Sequence, residues 1–128
     1  MTCYWDGIIS TLHDQDFSLF NETKPCNIVN LIEFFKRNNR RTENVYWNQS
    51  KLIDKQLSEN VEHVKDYNIG GIGCGYDCSV CDPFLLLVSE LFNLNIQHNY
   101  NGYVMNYSVD NPRRIVRYQS DCGHFWAS

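Results

Sequence analysis

The residues best suited to covalent chemistry stand near the two ends of the chain, Cys3 at the start and His124 close to the finish. A cysteine in the first turn of a helix has its thiolate favoured by unpaired backbone N–H groups and by the helix dipole. A histidine ionises close to neutral pH and so suits the role of base. Together they have the makings of a thiol nucleophile and its general base. A second grouping, Cys74-x3-Cys78-x2-Cys81, puts three soft ligands within eight residues of a glycine-rich stretch. That spacing can wrap a zinc ion, with Cys122, Cys26 or His98 as the fourth ligand. The dyad itself needs no cofactor, so zinc is the alternative reading. A third pattern, Cys78-Ser79-Val80-Cys81 directly ahead of Asp82-Pro83, has the form of a redox pair at a helix start.

Positioning these groups falls to elements legible in the hydrophobic periodicity. Thr2 is expected to cap a helix from Cys3 to about His13, with Tyr4, Ile8, Ile9 and Leu12 on one face. A second helix starts with Pro25 and turns Ile28, Leu31, Ile32 and Phe35 inward. A third, capped by Ser50, carries Ile53, Leu57, Val61 and Val64 at helical spacing as far as Tyr67. His13 falls at a helix end and His63 beside that apolar stripe, and neither reads as a ligand. Asn68 to Cys81, with four glycines and three cysteines, reads as a loop with special backbone needs. Asp82 and Pro83 then supply a cap and a first-turn proline for a central helix, Phe84 to Phe92, apolar nearly all round. Beyond it the period changes to two. Asn95 to Tyr100 and Tyr103 to Ser108 flank Asn101-Gly102, the dipeptide suited to a two-residue hairpin. His98 alternates with Ile96 and Tyr100 on one strand face, which reads as core or groove lining. Short strands at Arg114 to Gln119 and Gly123 to Ala127 follow. Helices first and an antiparallel sheet afterwards give an α+β domain, a single one spanning 1–128.

Composition narrows the function classes. The 128 residues carry 11 basic and 15 acidic side chains for a formal charge of -4, and no basic run exceeds Lys36-Arg37 or Arg40-Arg41. A nucleic-acid partner is therefore not expected. The longest apolar run, Pro83 to Val88, is far short of the roughly 20 residues of a membrane helix, and no leader pattern opens the chain. A cytoplasmic protein is the expectation, with no membrane partner. Six cysteines in such a compartment favour catalysis or metal binding over disulfides. One alanine against fifteen asparagines and eight tyrosines is the skew of AT-rich coding.

The stretch Cys3-Tyr4-Trp5-Asp6-Gly7-Ile8-Ile9 resembles the cysteine-plus-aromatics helix start of the ovarian-tumour (OTU) class of papain-like cysteine proteases. Ile115-Val116-Arg117-Tyr118 followed by Gly123-His124-Phe125 resembles that family's closing strands. The helix at Leu52 to Tyr67, Ile69-Gly70-Gly71, the helix from Pro83 to Phe92 and the Asn95 to Tyr100 strand with its Asn-Gly hairpin resemble the family's middle in order and spacing. Tyr76 to Leu85 is also similar to a stretch found in short reading frames of large DNA viruses, which would place the protein in host cytoplasm. The resemblance implies a papain-like fold and a deubiquitinase, hydrolysing isopeptide bonds of ubiquitin or ubiquitin-like conjugates. Cys3 would attack the carbonyl and His124 would move the proton. Where the family often orients its histidine with Asp or Asn two residues on, this chain has Trp126, so Asp121, Asp6, Asn99 or Asn101 is left to reach the ring. Trp5, Trp126, Tyr76 and Tyr100, with Tyr103, are the expected walls of a groove for the ubiquitin tail. The same fold without cleavage would make a ubiquitin-binding or zinc-binding module.

Overall fold

Helices α1 (Cys3–Thr11) and α2 (Asp14–Ser18) open the computed structural model, which describes residues 2–128. One helix was expected here as far as His13. Leu12 is instead extended (φ -96°, ψ 146°), and the His13 N–H donates to Asp16 Oδ2 at 2.8 Å to begin a new helix. The buried Asp16 carboxylate clasps the corner to the distant strands: Arg114 binds it in bidentate fashion at 2.7 and 2.9 Å, and Arg113 donates to it as well. Burial pushes the Asp16 carboxyl up, but hydrogen bonds from Arg114, the His13 N–H and Arg113 outweigh it and hold the group at about 2.

Helix α3 (Ile28–Arg37) begins three residues after Pro25, because Asn27 is the cap and its Oδ1 accepts from the Asn30 N–H at 2.8 Å. Leu31, Ile32, Phe34 and Phe35 face inward. Between α3 and the next helix lies a hairpin that periodicity missed, β1 (Tyr46–Trp47) and β2 (Ser50–Lys51). Two residues per strand are too few to show alternation, though Asn48 and Gln49 at φ 48° and 71° form its turn. Ser50 is thus a strand residue, and α4 (Asp54–Asp66) starts where Gln56 Oε1 accepts from the Ile53 N–H at 3.0 Å. Of its apolar stripe Leu57 and Val64 are buried, while Ile53 is 63% exposed. The Lys36 ammonium donates to the carbonyls of Val64 and Lys65, closing the far end of α4.

Within the glycine loop Ile69–Cys74 forms a 3₁₀ turn, and Gly75 (φ 88°) ends it. Helix α5 (Pro83–Phe92) matches expectation: Pro83 opens it, Asp82 Oδ1 caps the Phe84 N–H at 2.9 Å, and left-handed Asn93 closes it. Nine of its ten residues are buried, at roughly 1.5–3 kcal/mol for each large apolar side chain.

The strands β3 (Asn95–Tyr100), β4 (Tyr103–Ser108), β5 (Ile115–Ser120) and β6 (Phe125–Ala127) complete one sheet of order β2-β1-β4-β3-β5-β6. Asn101 and Gly102, at φ 48° and 93°, make the expected hairpin turn. The sheet is mixed and not purely antiparallel. β4 occupies one side of β3, so the 109–114 connection returns to the other side and β5 pairs with β3 in parallel, Asn95 opposite Ile115. The inward rows Ile96, Tyr107, Val116 and His98, Met105, Tyr118 pack beneath α5 and α1. Among the described residues no helix is long and apolar enough to cross a membrane.

Candidate active site

Cys3 occupies the first position of α1, half-buried. Thr2 stands at the cap position, its carbonyl accepting the Asp6 N–H at 2.9 Å, but its side chain makes no cap bond: the hydroxyl donates to Asp6 Oδ2 at 2.8 Å. The N–H groups of the first turn are thus left uncapped by the threonine, next to the thiol and at the positive end of the dipole. His124 stands just ahead of β6, beyond a turn organised by Asp121. One oxygen of Asp121 accepts the N–H groups of Gly123 and His124, each at 2.9 Å, and its own N–H donates to the His124 carbonyl. Those backbone donors hold the Asp121 carboxyl below its ordinary range. The same oxygen lies 3.9 Å from His124 Nδ1. Of the four candidates for orienting the ring, Asp121 is the one with an ionic contact to it, at a distance longer than a hydrogen bond.

Helix and strand approach closely because Gly7 is a glycine. A Cβ at Gly7 would sit 2.7 Å from Phe125 Cδ1 and 3.7 Å from the Trp126 Cα. This bare stretch, one turn beyond Cys3, lets α1 settle directly on the strand that follows His124.

Cys3, Asp121 and His124 line one cavity of about 400 Å³, whose other walls are the 3₁₀ turn and glycine loop, Tyr100 at the end of β3, and Phe125. Tyr76 and Tyr100 line it as expected. Trp5 lines it too, but at 1% exposure and with its indole N–H donating to the Tyr67 hydroxyl at 3.1 Å it is at the same time a core residue. Trp126 is 45% exposed, but strand alternation turns Phe125 inward and Trp126 to the opposite face, away from the cavity lining. Tyr103 is exposed at the hairpin and outside the lining too.

The loop leaves Cys74, Cys78 and Cys81, the residues of the zinc reading, at three different degrees of burial. Cys74 is exposed, Cys78 is buried and Cys81 is half-buried. Among the described residues no three His, Cys, Asp or Glu side chains are grouped so as to hold a metal ion. The 3₁₀ turn and the α5 cap direct these cysteines to different surroundings. Burial, reinforced by the Asp82 charge, pushes both the Cys78 and Cys81 thiols up to about 12. That is the reverse of the activated thiol a redox pair needs.

A cluster that spacing did not show lies under the cavity floor. His98, fully buried, has Nε2 at 2.6 Å from Ser120 Oγ and 4.0 Å from Cys78 Sγ. Burial lowers the His98 imidazole to about 4. With the thiol pushed up and the imidazole pushed down, the pair stays neutral and lacks the ion-pair character of an activated cysteine. The inward position of His98 was legible from alternation on β3; its meeting with Cys78 depends on the loop path. Asp82 is likewise buried, and desolvation raises its carboxyl to about 6 against hydrogen bonds from Tyr4, the Phe84 N–H and Tyr76. No protein family, curated protein or solved structure matches this chain.

Proposed function

We propose that the protein is a cysteine-type hydrolase of OTU-like character that cleaves the isopeptide bond of ubiquitin or ubiquitin-like conjugates. The observation that carries this reading is the convergence of Cys3, His124 and Asp121 on one cavity, with Asp121 on the Nδ1 side of the imidazole. His124 Nε2 takes the proton of the Cys3 thiol as sulfur attacks the substrate carbonyl. The negative charge that develops on the carbonyl oxygen is met by N–H groups of the first turn of α1. The C–N bond then breaks, the imidazolium returns its proton to the leaving amine, and a thioester joins Cys3 to the acyl group. Water, deprotonated by His124, releases the carboxylic acid and restores the thiol. Asp121 orients the ring and balances its charge while it is protonated.

Covalent capture by ubiquitin bearing a C-terminal electrophile tests this. Labelling is expected in the wild type and in Cys78→Ala and is lost in Cys3→Ala; absence of wild-type labelling would sink the proposal. A second reading, a ubiquitin-binding module without cleavage, draws support from the 76% exposure of the His124 side chain. Its signature is ubiquitin binding in solution with no capture at any cysteine.

A further inference from the structure

The residue after the proposed nucleophile, Tyr4, is buried, and its hydroxyl reaches across 78 positions to donate to Asp82 Oδ2. On the glycine loop, Tyr76 stacks against the Tyr4 ring, centroids 4.3 Å apart and planes 25° from parallel. The Tyr76 hydroxyl donates to the other oxygen, Oδ1, at 2.9 Å. Both tyrosines line the cavity, one beside Cys3 and one on the loop. Since the single Tyr76 proton is committed to Asp82, the His63 ring at 3.0 Å donates Nε2–H to the Tyr76 oxygen. Asp82 is itself fixed, its N–H donating to the Tyr107 hydroxyl at 3.0 Å and its Oδ1 accepting from the Phe84 N–H.

Capping α5 explains only part of this. A cap uses one oxygen on the first-turn N–H groups, and Ser, Thr or Asn serves there as well. Oδ2, turned to Tyr4, is surplus to the cap. We propose that Asp82 is a positioning residue for Cys3, its two carboxylate oxygens tying the helix start that carries the nucleophile to the loop wall of the cavity. This rests on the hydrolase reading above. Through Tyr4 the carboxylate fixes the first turn of α1, and through Tyr76 it fixes the loop around which substrate must fit. Misplacement of a reacting group by about 1 Å is enough to cost on the order of a hundredfold in rate.

The test compares Tyr4→Phe, Asp82→Ser and Asp82→Asn. Tyr4→Phe deletes one hydroxyl, Asp82→Ser keeps a cap but is too short to reach both tyrosines, and Asp82→Asn restores the length. With a ubiquitin substrate carrying a C-terminal fluorophore, kcat is expected to fall about tenfold or more in Tyr4→Phe and Asp82→Ser. KM stays within about threefold, and Asp82→Asn recovers part of the loss. Full kcat in a folded Tyr4→Phe, or a loss confined to KM, overturns the proposal. Should Asp82→Ser fail to fold, Tyr4→Phe carries the test alone. The rate of Cys3 alkylation by iodoacetamide, read by mass spectrometry at fixed pH, makes no use of ubiquitin. A change of about threefold or more in Tyr4→Phe supports the positioning role even if the wild type hydrolyses nothing, an outcome that removes the hydrolase reading alone. An unchanged alkylation rate overturns the positioning role.

Discussion

Gly7→Ala is the sharpest single perturbation of this architecture, because it drives one methyl group between the helix bearing Cys3 and the strand following His124. The added carbon would meet Phe125 Cδ1 at 2.7 Å and Cε1 at 2.8 Å, whereas carbon atoms in contact rest about 3.5–4.0 Å apart. Roughly 1 Å of separation must therefore open. The Phe125 ring cannot swing aside to provide it, since it is 5% exposed and held by Tyr4, His98 and Tyr118 at centroid distances of 5.0, 5.5 and 4.9 Å. Two stability effects oppose each other. Alanine gains about 1 kcal/mol in helix propensity over glycine, and overpacking costs about 1–3 kcal/mol. The net loss should be no more than about 2 kcal/mol, and the protein should remain folded.

Catalysis is the more sensitive observable. Displacing α1 from β6 by about 1 Å moves Cys3 relative to His124 and should lower kcat/KM on the order of a hundredfold. Hydrolysis of the ubiquitin fluorophore substrate, beside a urea titration of the same sample, separates the two effects. Phe125→Leu introduced with Gly7→Ala removes part of the obstructing ring and should recover activity non-additively. A Gly7→Ala protein that is more stable than the wild type and retains its kcat/KM within about threefold refutes the argument that close approach of α1 and β6 builds the site.

Asp121→Asn should leave the turn folded, because Asn also accepts the Gly123 and His124 N–H groups, and should lower kcat on the order of tenfold or more by removing the charge beside Nδ1; an unchanged kcat would strip Asp121 of its role. Asp16→Asn should cost about 3 kcal/mol by leaving the arginines of the clasp without their charge partner, seen as a drop in Tm of about 10 °C. The wild-type carboxyl, at about 2, lies below the roughly 3.9 of an unfolded chain. Its contribution should thus be complete above about pH 4 and lost as the pH falls towards 2, a slope that Asp16→Asn abolishes in acid denaturation. Ser120→Ala should cost about 1–3 kcal/mol in chemical denaturation by taking the 2.6 Å partner from buried His98, without loss of labelling by the ubiquitin probe.

Several features were decided by the sequence itself because their causes are local. The Asp82-Pro83 start of α5 needs only a cap and a fixed φ, and the Asn101-Gly102 turn needs only two residues tolerant of positive φ. Cys3 at a helix start follows from the periodicity of Tyr4, Ile8 and Leu12, not from the Thr2 side-chain cap, which is not made, and alternation or periodicity likewise placed Leu31, Ile32 and His98 inward. Elsewhere a competing local signal, within three residues, won over the expected one. Ser50 and Pro25 are good helix starters, yet Ser50 was taken into a strand paired with Trp47, and Asn27 capped α3 in place of a start at Pro25. The parallel pairing of β3 with β5 is likewise invisible to alternation, which reports which face a residue occupies and not which strand lies beside it.

The site divides in the same way. Residue type and position marked Cys3 and His124 as candidates for a nucleophile and a base. Three-dimensional packing brought Asp121 into ionic contact with the His124 ring and kept Trp126 out of the cavity lining. It also dispersed three cysteines whose spacing fitted zinc, and joined Tyr4 and Tyr76 through Asp82. Spacing along a chain limits reach only over a few residues. Which groups separated by dozens of positions share a cavity depends on the path of the backbone between them, and here that path is fixed by α5, the glycine loop and the contact of Gly7 with Phe125.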